Sequence, residues 1–303
     1  MLKKANKRET FLQRHVVSRW RKYTLQEKIV LTVATVIFTV YSVYLLAPYF
    51  FAIMNSLKST TEYYESMYSF PTELRFDNYL RALELSIAGT SVLEMFLNNL
   101  GFAFTFAFGT VACSTLTAYV VSRYNFRGRY LLYTIAVIVQ IVPIFGTTGA
   151  GYRLVYNLHL DNNFLLTWII GAGGFNFIFV IMHSFFISLG REYAEAAMID
   201  GAGHFRIFFS IMLPMAAAPL LAVFTTNFIG FWNDYLSPRL YMPEYPTLAV
   251  GIDLLRTTST RPEMGGMPVY LAAIMISIIP VLLLFCLVQK KVLNVDFGGG
   301  IKG

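Results

Sequence analysis

The sequence predicts an all-α integral membrane protein with six transmembrane helices. Of its 303 residues, 56% are hydrophobic and only 14% are charged, whereas charged residues make up about a quarter of an ordinary soluble domain. The charges also cluster, because six stretches contain no Asp, Glu, Lys or Arg and together cover more than half of the chain. These stretches are 29–57, 95–122, 130–152, 162–190, 207–233 and 264–289.

Each stretch is long enough to cross a bilayer as a helix. About 20 apolar residues, rising 1.5 Å each, span a hydrocarbon core roughly 30 Å thick, and the shortest stretch, 130–152, has 23 residues. A backbone amide in lipid has no water to bond with, so each segment must satisfy its own amides as a helix. The composition therefore excludes a soluble enzyme and a disordered chain, and two cysteines exclude a disulfide scaffold.

The distribution of Lys and Arg predicts the orientation of these helices. An even number of spans places both termini on one side, and most of the 24 Lys and Arg lie on that side. Cytoplasmic segments are enriched in these residues, so both termini are predicted to be cytoplasmic. The predicted organisation is a basic N-terminal segment 1–28, a six-helix transmembrane domain 29–289 and a C-terminal tail 290–303.

Two longer links, 58–94 and 234–263, are then predicted to lie outside the membrane on the other side. The second contains Pro238, Pro243, Pro246 and Pro262, which predicts an irregular segment with one short helix. Both links are large enough to contact an extracytoplasmic partner.

Several kinds of chemistry are missing from the sequence. The six stretches have no charged residue in their interior, which argues against proton coupling, although sodium coupling through backbone carbonyls stays open. No phosphate-binding Gly-x-x-x-x-Gly-Lys-Ser/Thr loop exists, and Lys302 is the only Lys followed by Gly. No Cys/His cluster predicts a metal site, and no catalytic set predicts a membrane enzyme. Any energy for transport is therefore expected to come from another subunit.

The link 191–206 is the most informative segment. Its residues favour a helix, and Gly201 and Gly203 predict where that helix ends. Helical spacing places Ala194, Ala197 and Gly201 on one face with little side-chain bulk, where the backbone of another protein could approach. The alternative is an amphipathic helix that only lies at the membrane interface. Further on, Pro214 and Pro219 predict a bend where the chain re-enters the membrane.

This segment resembles the EAA loop of the binding-protein-dependent ABC importer permeases. The match runs Glu195-Ala-Ala-x-x-Asp-Gly-Ala202, then eight residues, then Ile211-x-Leu-Pro214. In that family the loop forms a coupling helix that docks into a cleft on a cytoplasmic ATPase. The resemblance implies a type I importer permease fold with a cytoplasmic coupling loop, 191–214, between helices 4 and 5. The residues that it implies in coupling are Glu195, Ala196, Ala197, Asp200, Gly201, Ala202, Ile211, Leu213 and Pro214.

Shorter pieces resemble the carbohydrate, maltose-type branch of this family. They are Ser56-Leu-Lys-Ser59, Phe96-Leu-Asn-Asn-Leu100, Ala118 to Gly128, Trp232-Asn-Asp-Tyr-Leu236 and the glycine-rich tail 298–303. The resemblance implies a prokaryotic cytoplasmic (inner) membrane, a second permease subunit, two ATPase subunits and an extracytoplasmic solute-binding protein. ATP and Mg would be bound by the ATPase, so this chain is expected to carry no cofactor and no metal and to be no enzyme itself.

A saccharide offers hydroxyls and flat C–H faces, which suit side-chain amides and aromatic rings. The candidate pathway residues are those types within or beside the apolar stretches, although buried Asn and Gln also join membrane helices to one another. They are Asn98, Asn99, Gln140, Trp168, Asn176, Asn227 and Trp232. The predicted function is a permease subunit for a sugar or oligosaccharide. The alternatives are the same subunit for a peptide or glycerol phosphate, and an ATP-independent secondary transporter.

Overall fold

The computed structural model describes residues 23–142, 147–163, 174–258 and 266–293. Residues 1–22 of the predicted N-terminal segment, the tail beyond residue 293 and Trp168 lie outside the described residues. The helices in chain order are α1 (Leu25–Ser56), α2 (Thr60–Glu65), α3 (Asp77–Glu84), α4 (Val92–Arg123), α5 (Arg129–Ile141), α6 (Thr147–Asn157), α7 (Phe177–Ser188), α8 (Glu192–Ile199), α9 (His204–Met215), α10 (Ala217–Trp232), α11 (Leu236–Tyr241), α12 (Leu248–Thr258) and α13 (Gly266–Leu293).

Three of these helices, α1, α4 and α13, are long and apolar enough to cross a membrane unbroken. Two pairs could each form one broken span, because α7 meets α8 at 68° and α9 meets α10 at 75°. The described residues therefore contain three candidate spans, or up to five with the bent pairs, compared with the six predicted from the sequence.

The difference arises partly in the predicted third span, 130–152. Helix α5 has only 13 residues and ends at Ile141, which makes it about 20 Å long and too short for the hydrocarbon core. Val142, the next residue, is extended with ψ of 114°. It precedes Pro143 in the sequence, and a residue before proline is driven out of the helical region by a steric clash.

Helix α4 is the centre of the bundle. In its most apolar window 56% of the residues are buried, compared with 28% for α13 and none for α1. It packs along α7 and α10. Its C-terminal half joins the inner cluster, which contains Tyr119, Phe186 and Phe208, and its N-terminal half joins a second cluster with Met95 and Trp232. Residues that precede α4 in the chain and residues that follow it thus pack against this helix.

Helix α1 lies at the periphery and packs on α13. It begins with a capping box, in which the Glu27 amide donates to Thr24 Oγ1 and the Thr24 amide donates to Glu27 Oε2. Its hydroxyl groups bond back to its own carbonyls, as when Thr35 Oγ1 donates to Leu31 O at 2.7 Å. An exposed apolar helix whose Thr and Ser hydroxyls bond to its own backbone, as those of Thr32, Thr35, Thr39 and Ser42 do, is suited to a surrounding of lipid.

The links outside these helices hold more regular structure than the sequence predicted. A hairpin of β1 (Ser86–Ile87) and β2 (Thr90–Ser91) departs from the predicted all-α class. The described part of the link 234–263 contains two helices, α11 and α12, where the sequence predicted one short helix in an irregular segment. Pro238 lies in the first turn of α11, where a helix has no partner for its amides and proline costs little.

Lys58 holds the link after α1 in place. Its side chain is completely buried, and its ammonium donates to Ser66 O at 2.8 Å and Met67 O at 3.1 Å. Asn78 adds a second anchor, because Nδ2 donates at 2.8 Å to both Ser56 O and Lys58 O. These bonds satisfy carbonyls beyond the ends of α1 and α2, so the start of the link is pinned to the membrane helix.

Glu62 closes the same link further along. The Thr72 amide donates to its Oε1 at 2.6 Å, which lowers the pKa of the Glu62 carboxyl. The carboxyl is exposed, so this bond positions the chain more than it stabilises it.

We expect Lys58→Met to destabilise the protein by about 1–3 kcal/mol, because it removes two hydrogen bonds that a buried ammonium donates. The measurement is thermal unfolding of the purified chain in detergent. Lys28→Met is the matched control, since Lys28 is not among the fully buried side chains. Equal losses of melting temperature in the two variants would contradict the assigned role of Lys58.

Candidate functional site

The 191–214 segment begins at a sharp corner between α7 and α8. Leu189 is extended, with ψ of 134°, and ends α7. Arg123, the last residue of α4, donates from Nη2 to Leu189 O at 2.9 Å. The corner is therefore tied to the central helix by a charged hydrogen bond, which is stronger than a neutral one.

The end of α8 is a Schellman motif built around Gly201. The Gly201 amide donates to Met198 O at 3.0 Å, and the Ala202 amide donates to Ala197 O at 2.9 Å. Gly201 has φ of +77°, in the left-handed region that other L-residues adopt only with strain. The sequence prediction that this glycine ends the helix is confirmed.

The small face of α8 turns inward. Ala197 is only 8% exposed and belongs to the inner cluster, and Ala194 and Ala202 pack against that cluster. Ala197 is thus taken up by the chain's own core, and the contact of Ala194 and Ala197 with another protein stays a prediction. Small side chains are needed here because they let the short helix approach the chain's own aromatic core closely.

The opposite side of α8 is exposed. Among the predicted coupling residues, Glu195, Ala196, Asp200 and Gly201 are on this side. The sequence analysis missed two large apolar side chains beside them, Ile199 and Phe205, which are 86% and 83% exposed. The sequence feature that could have indicated them is an apolar residue on each side of the turn that contains Gly201 and Gly203.

The last predicted residues of the segment lie on α9. Its middle, Phe208–Met212, is a π-helical turn in which the Leu213 amide donates to Phe208 O, five residues earlier. Pro214 follows and has no amide to donate, so the preceding turn widens. Ile211 and Leu213 pack against the inner cluster, while Pro214 is exposed. The predicted bend is confirmed, since α9 and α10 meet at 75°.

A cavity of about 350 Å³ lies at the other end of α4. Asn99 and Trp232, two candidate pathway residues, both line it. Trp232 Nε1 donates to Ser277 O at 2.9 Å, and Asn99 Nδ2 donates to Trp232 O at 3.2 Å. The Asn99 Oδ1 atom is buried and has no hydrogen-bond partner among the described residues. The structure thus brings an amide and an indole together where α4, α10 and α13 meet.

The edge of this cavity carries charges that the sequence analysis did not single out. Asp253 on α12 lies 3.3 Å from Arg239 and 3.9 Å from Arg256. Asp253 and Arg256 line the cavity together with Tyr270. These residues were missed because the link that carries the first three was predicted to be largely irregular.

The other candidate pathway residues hold the bundle together. Asn176 caps α7, accepting from the Ile178 and Phe179 amides and from Ser114 Oγ. The Asn176 amide oxygen therefore bonds both to the start of α7 and to the Ser114 side chain of α4.

Three further candidates bond to carbonyls of the chain. In each case the side-chain amide nitrogen is the donor. The bonds run from Asn98 to Pro246 O at 3.2 Å, from Gln140 to Phe175 O at 3.1 Å, and from Asn227 to Val223 O at 2.8 Å. Asn227 thus bonds within its own helix, and Asn98 and Gln140 each connect a helix to a loop.

The chain is similar in sequence to proteins of a known family. The profile of the family described as binding-protein-dependent transport system inner membrane component matches residues 110–291. The diacetylchitobiose uptake system permease protein NgcG of Streptomyces coelicolor is 31% identical over 255 residues, which are 83% of this chain and 82% of that protein. The maltodextrin transport system permease protein MdxG of Bacillus subtilis is 34% identical over 218 residues, 71% and 77% of the two chains.

The fold also matches a solved structure. One chain of a bacterial ABC transporter involved in the import of the acidic polysaccharide alginate aligns with a TM-score of 0.72 and 23% identity. The alignment covers 88% of this chain and 98% of that chain.

We expect Gly201→Ala to destabilise the end of α8 by about 1–2 kcal/mol, because alanine at φ of +77° is strained. Gly203→Ala is the matched control, since Gly203 has φ of −72° and a Cβ there meets no atom within 4 Å. Hydrogen exchange of the α8 amides measures the effect. Faster exchange is expected only in the Gly201 variant, and the same rate in both would contradict the Schellman assignment.

Proposed function

Since the chain belongs to the family of binding-protein-dependent transport system inner membrane components, we propose that it is the transmembrane permease subunit of an ATP-driven importer of a sugar or oligosaccharide. The observation that carries this proposal is the 191–214 segment. It presents a short surface helix with exposed acidic and apolar side chains on a base that is packed into the bundle.

The proposed contact with the ATPase uses the exposed side of α8. Glu195 would pair with a basic group of the ATPase, and Ile199 and Phe205 would enter an apolar cleft. Ala197 and Ala202 would pack on the inner cluster and so hold α8 against the bundle. The sequence analysis predicted coupling roles for Glu195, Ala197 and Ala202, and it did not name Ile199 or Phe205.

Movement of α8 would pass to the membrane helices through aromatic contacts. The ring centroids of Tyr119 and Phe208 are 4.7 Å apart, and those of Tyr119 and Phe186 are 5.4 Å apart. These rings belong to α4, α9 and α7, so the three helices are coupled at one point. Alternating access requires two states that differ in their contacts, and closure of the ATPase on α8 would supply that difference.

The proposed assembly contains this chain, a second permease subunit, two cytoplasmic ATPase subunits and an extracytoplasmic solute-binding protein. ATP and Mg would be bound by the ATPase. Both termini and the 191–214 segment would lie in the cytoplasm, with six transmembrane helices in all, because this arrangement places most Lys and Arg inside. The links with α2, α3, α11 and α12 would then face the solute-binding protein.

The proposal of a saccharide as solute is supported by two kinds of observation. The names of NgcG and MdxG give diacetylchitobiose and maltodextrin as the solutes of those proteins. In this chain Asn99 and Trp232 line a cavity, and an amide and an indole are side-chain types that suit a sugar.

Uptake into proteoliposomes that contain the complete assembly tests the proposed function. We expect ATP-dependent uptake of oligosaccharides such as chitobiose or maltodextrin, and no uptake of glycerol phosphate or a short peptide. Uptake of glycerol phosphate or peptide alone would reject the saccharide assignment. Uptake that persists without the ATPase subunits would instead indicate a secondary transporter.

The proposed docking surface is tested by disulfide cross-linking at adjacent positions of α8. In a background with Cys113→Ser and Cys286→Ser, we expect Ala196→Cys to cross-link to the ATPase, because Ala196 is exposed. Ala197→Cys is the matched control and is expected not to cross-link, because Ala197 is buried. Membranes containing the whole assembly are used, and the products are identified by mass spectrometry. Capture from position 197 but not from 196 would reverse the assigned faces.

A further inference from the structure

A second cavity, of about 490 Å³, lies between the ends of α4, α5 and α7. It shares no lining residue with the cavity at Asn99 and Trp232. We call it the arginine cavity, and its main polar lining residues are Ser122, Arg129, Tyr130, Tyr133, His183 and Arg191. None of the predicted pathway or coupling residues is among them.

The two arginines, Arg129 and Arg191, are not engaged in ion pairs within the part of the chain that the structure describes. Arg129 is instead held by neutral groups, donating to Asn125 Oδ1 and, at 2.6 Å, to the Tyr130 hydroxyl. Glu192, the acid next to Arg191 in the chain, has its carboxylate against Gly190. The cavity is therefore suited to an anionic group.

The groups that line the cavity suit an oxyanion such as phosphate better than a simple halide. A guanidinium presents paired donors that match phosphate oxygens, and Ser and Tyr hydroxyls can donate to the remaining ones. The floor is a rigid stack, with the Tyr133 and His183 rings 4.5 Å apart. In addition, α5 begins beside the cavity without a side-chain cap, so its free amides add positive potential.

The surroundings favour a lipid over a free ion. Tyr130, at 72% exposed, and the exposed Leu131 and Ile135 form an apolar side of α5, and Ile187 of α7 is exposed beside the cavity. A basic pocket between membrane helices that opens beside an apolar surface matches both parts of an amphiphile. Tyrosine is also enriched at the depth of lipid headgroups.

We propose that the arginine cavity binds the headgroup phosphate of an anionic phospholipid, whose acyl chains lie along the exposed apolar side of α5. Arg191 directly precedes α8, so a bound headgroup would connect α5 to the start of α8. The lipid would thereby restrain the 191–214 segment from the membrane side. The proposal depends on the membrane location of the chain, and not on its solute or its ATPase.

The test measures lipid binding to the purified full chain in a neutral detergent. Native mass spectrometry compares phosphatidylglycerol with phosphatidylcholine of the same acyl chains, and inorganic phosphate is titrated separately. We expect a clear preference for phosphatidylglycerol. Arg129→Gln and Arg191→Gln should each weaken its binding about fivefold, the effect of one basic residue at an anionic lipid surface. Arg127→Gln is the matched control, because Arg127 is exposed and does not line the cavity.

Equal binding of the two lipids to the unaltered chain would overturn the proposal, and this comparison needs no variant to fold. An equal loss in Arg127→Gln would also overturn it, since the preference would then reflect general surface charge. Inorganic phosphate binding as tightly as phosphatidylglycerol would show a site for a free anion and would reject the lipid.

Discussion

Backbone polar groups that lie in apolar surroundings must find partners within the protein, and this constraint shapes every break in the helices described here. At the corner between α7 and α8, the Leu189 carbonyl is satisfied by Arg123. At the end of α8, the Schellman motif around Gly201 satisfies two further carbonyls. Beyond α1, the ammonium of Lys58 bonds two more. Each of these three positions is thus fixed by specific donors.

The second constraint is that α4 provides the surface against which the rest of the chain packs. One half of it holds the aromatic cluster beneath α8 and α9, and the other half holds the cavity with Asn99 and Trp232. The surface proposed to bind the ATPase and the cavity proposed to meet solute are therefore at opposite ends of one helix. A continuous helix has few soft internal degrees of freedom, so it can transmit a displacement between them.

The sequence predicted the features that follow from strong local rules. Charge-free stretches predicted the three to five candidate spans that the described residues contain, although six were expected. Gly201 predicted the end of α8, and Pro214 predicted a bend. It failed where packing decides between equivalent options. The small residues Ala194 and Ala197 could equally serve a partner or the chain's own core, and only the tertiary contacts show that they serve the core. Likewise, a membrane Asn can bind a ligand or cap a helix, as Asn176 does.

The inward direction of Ala197 affects how genetic data on this motif should be read. A larger residue at this position would first disturb the aromatic packing of the same chain, before any contact with another subunit is considered. A null phenotype from such an allele is therefore evidence about folding, and suppressor alleles in the ATPase gene should not be expected to rescue it. If the proposed docking surface is right, alleles of outward residues such as Glu195 would carry the information about subunit recognition.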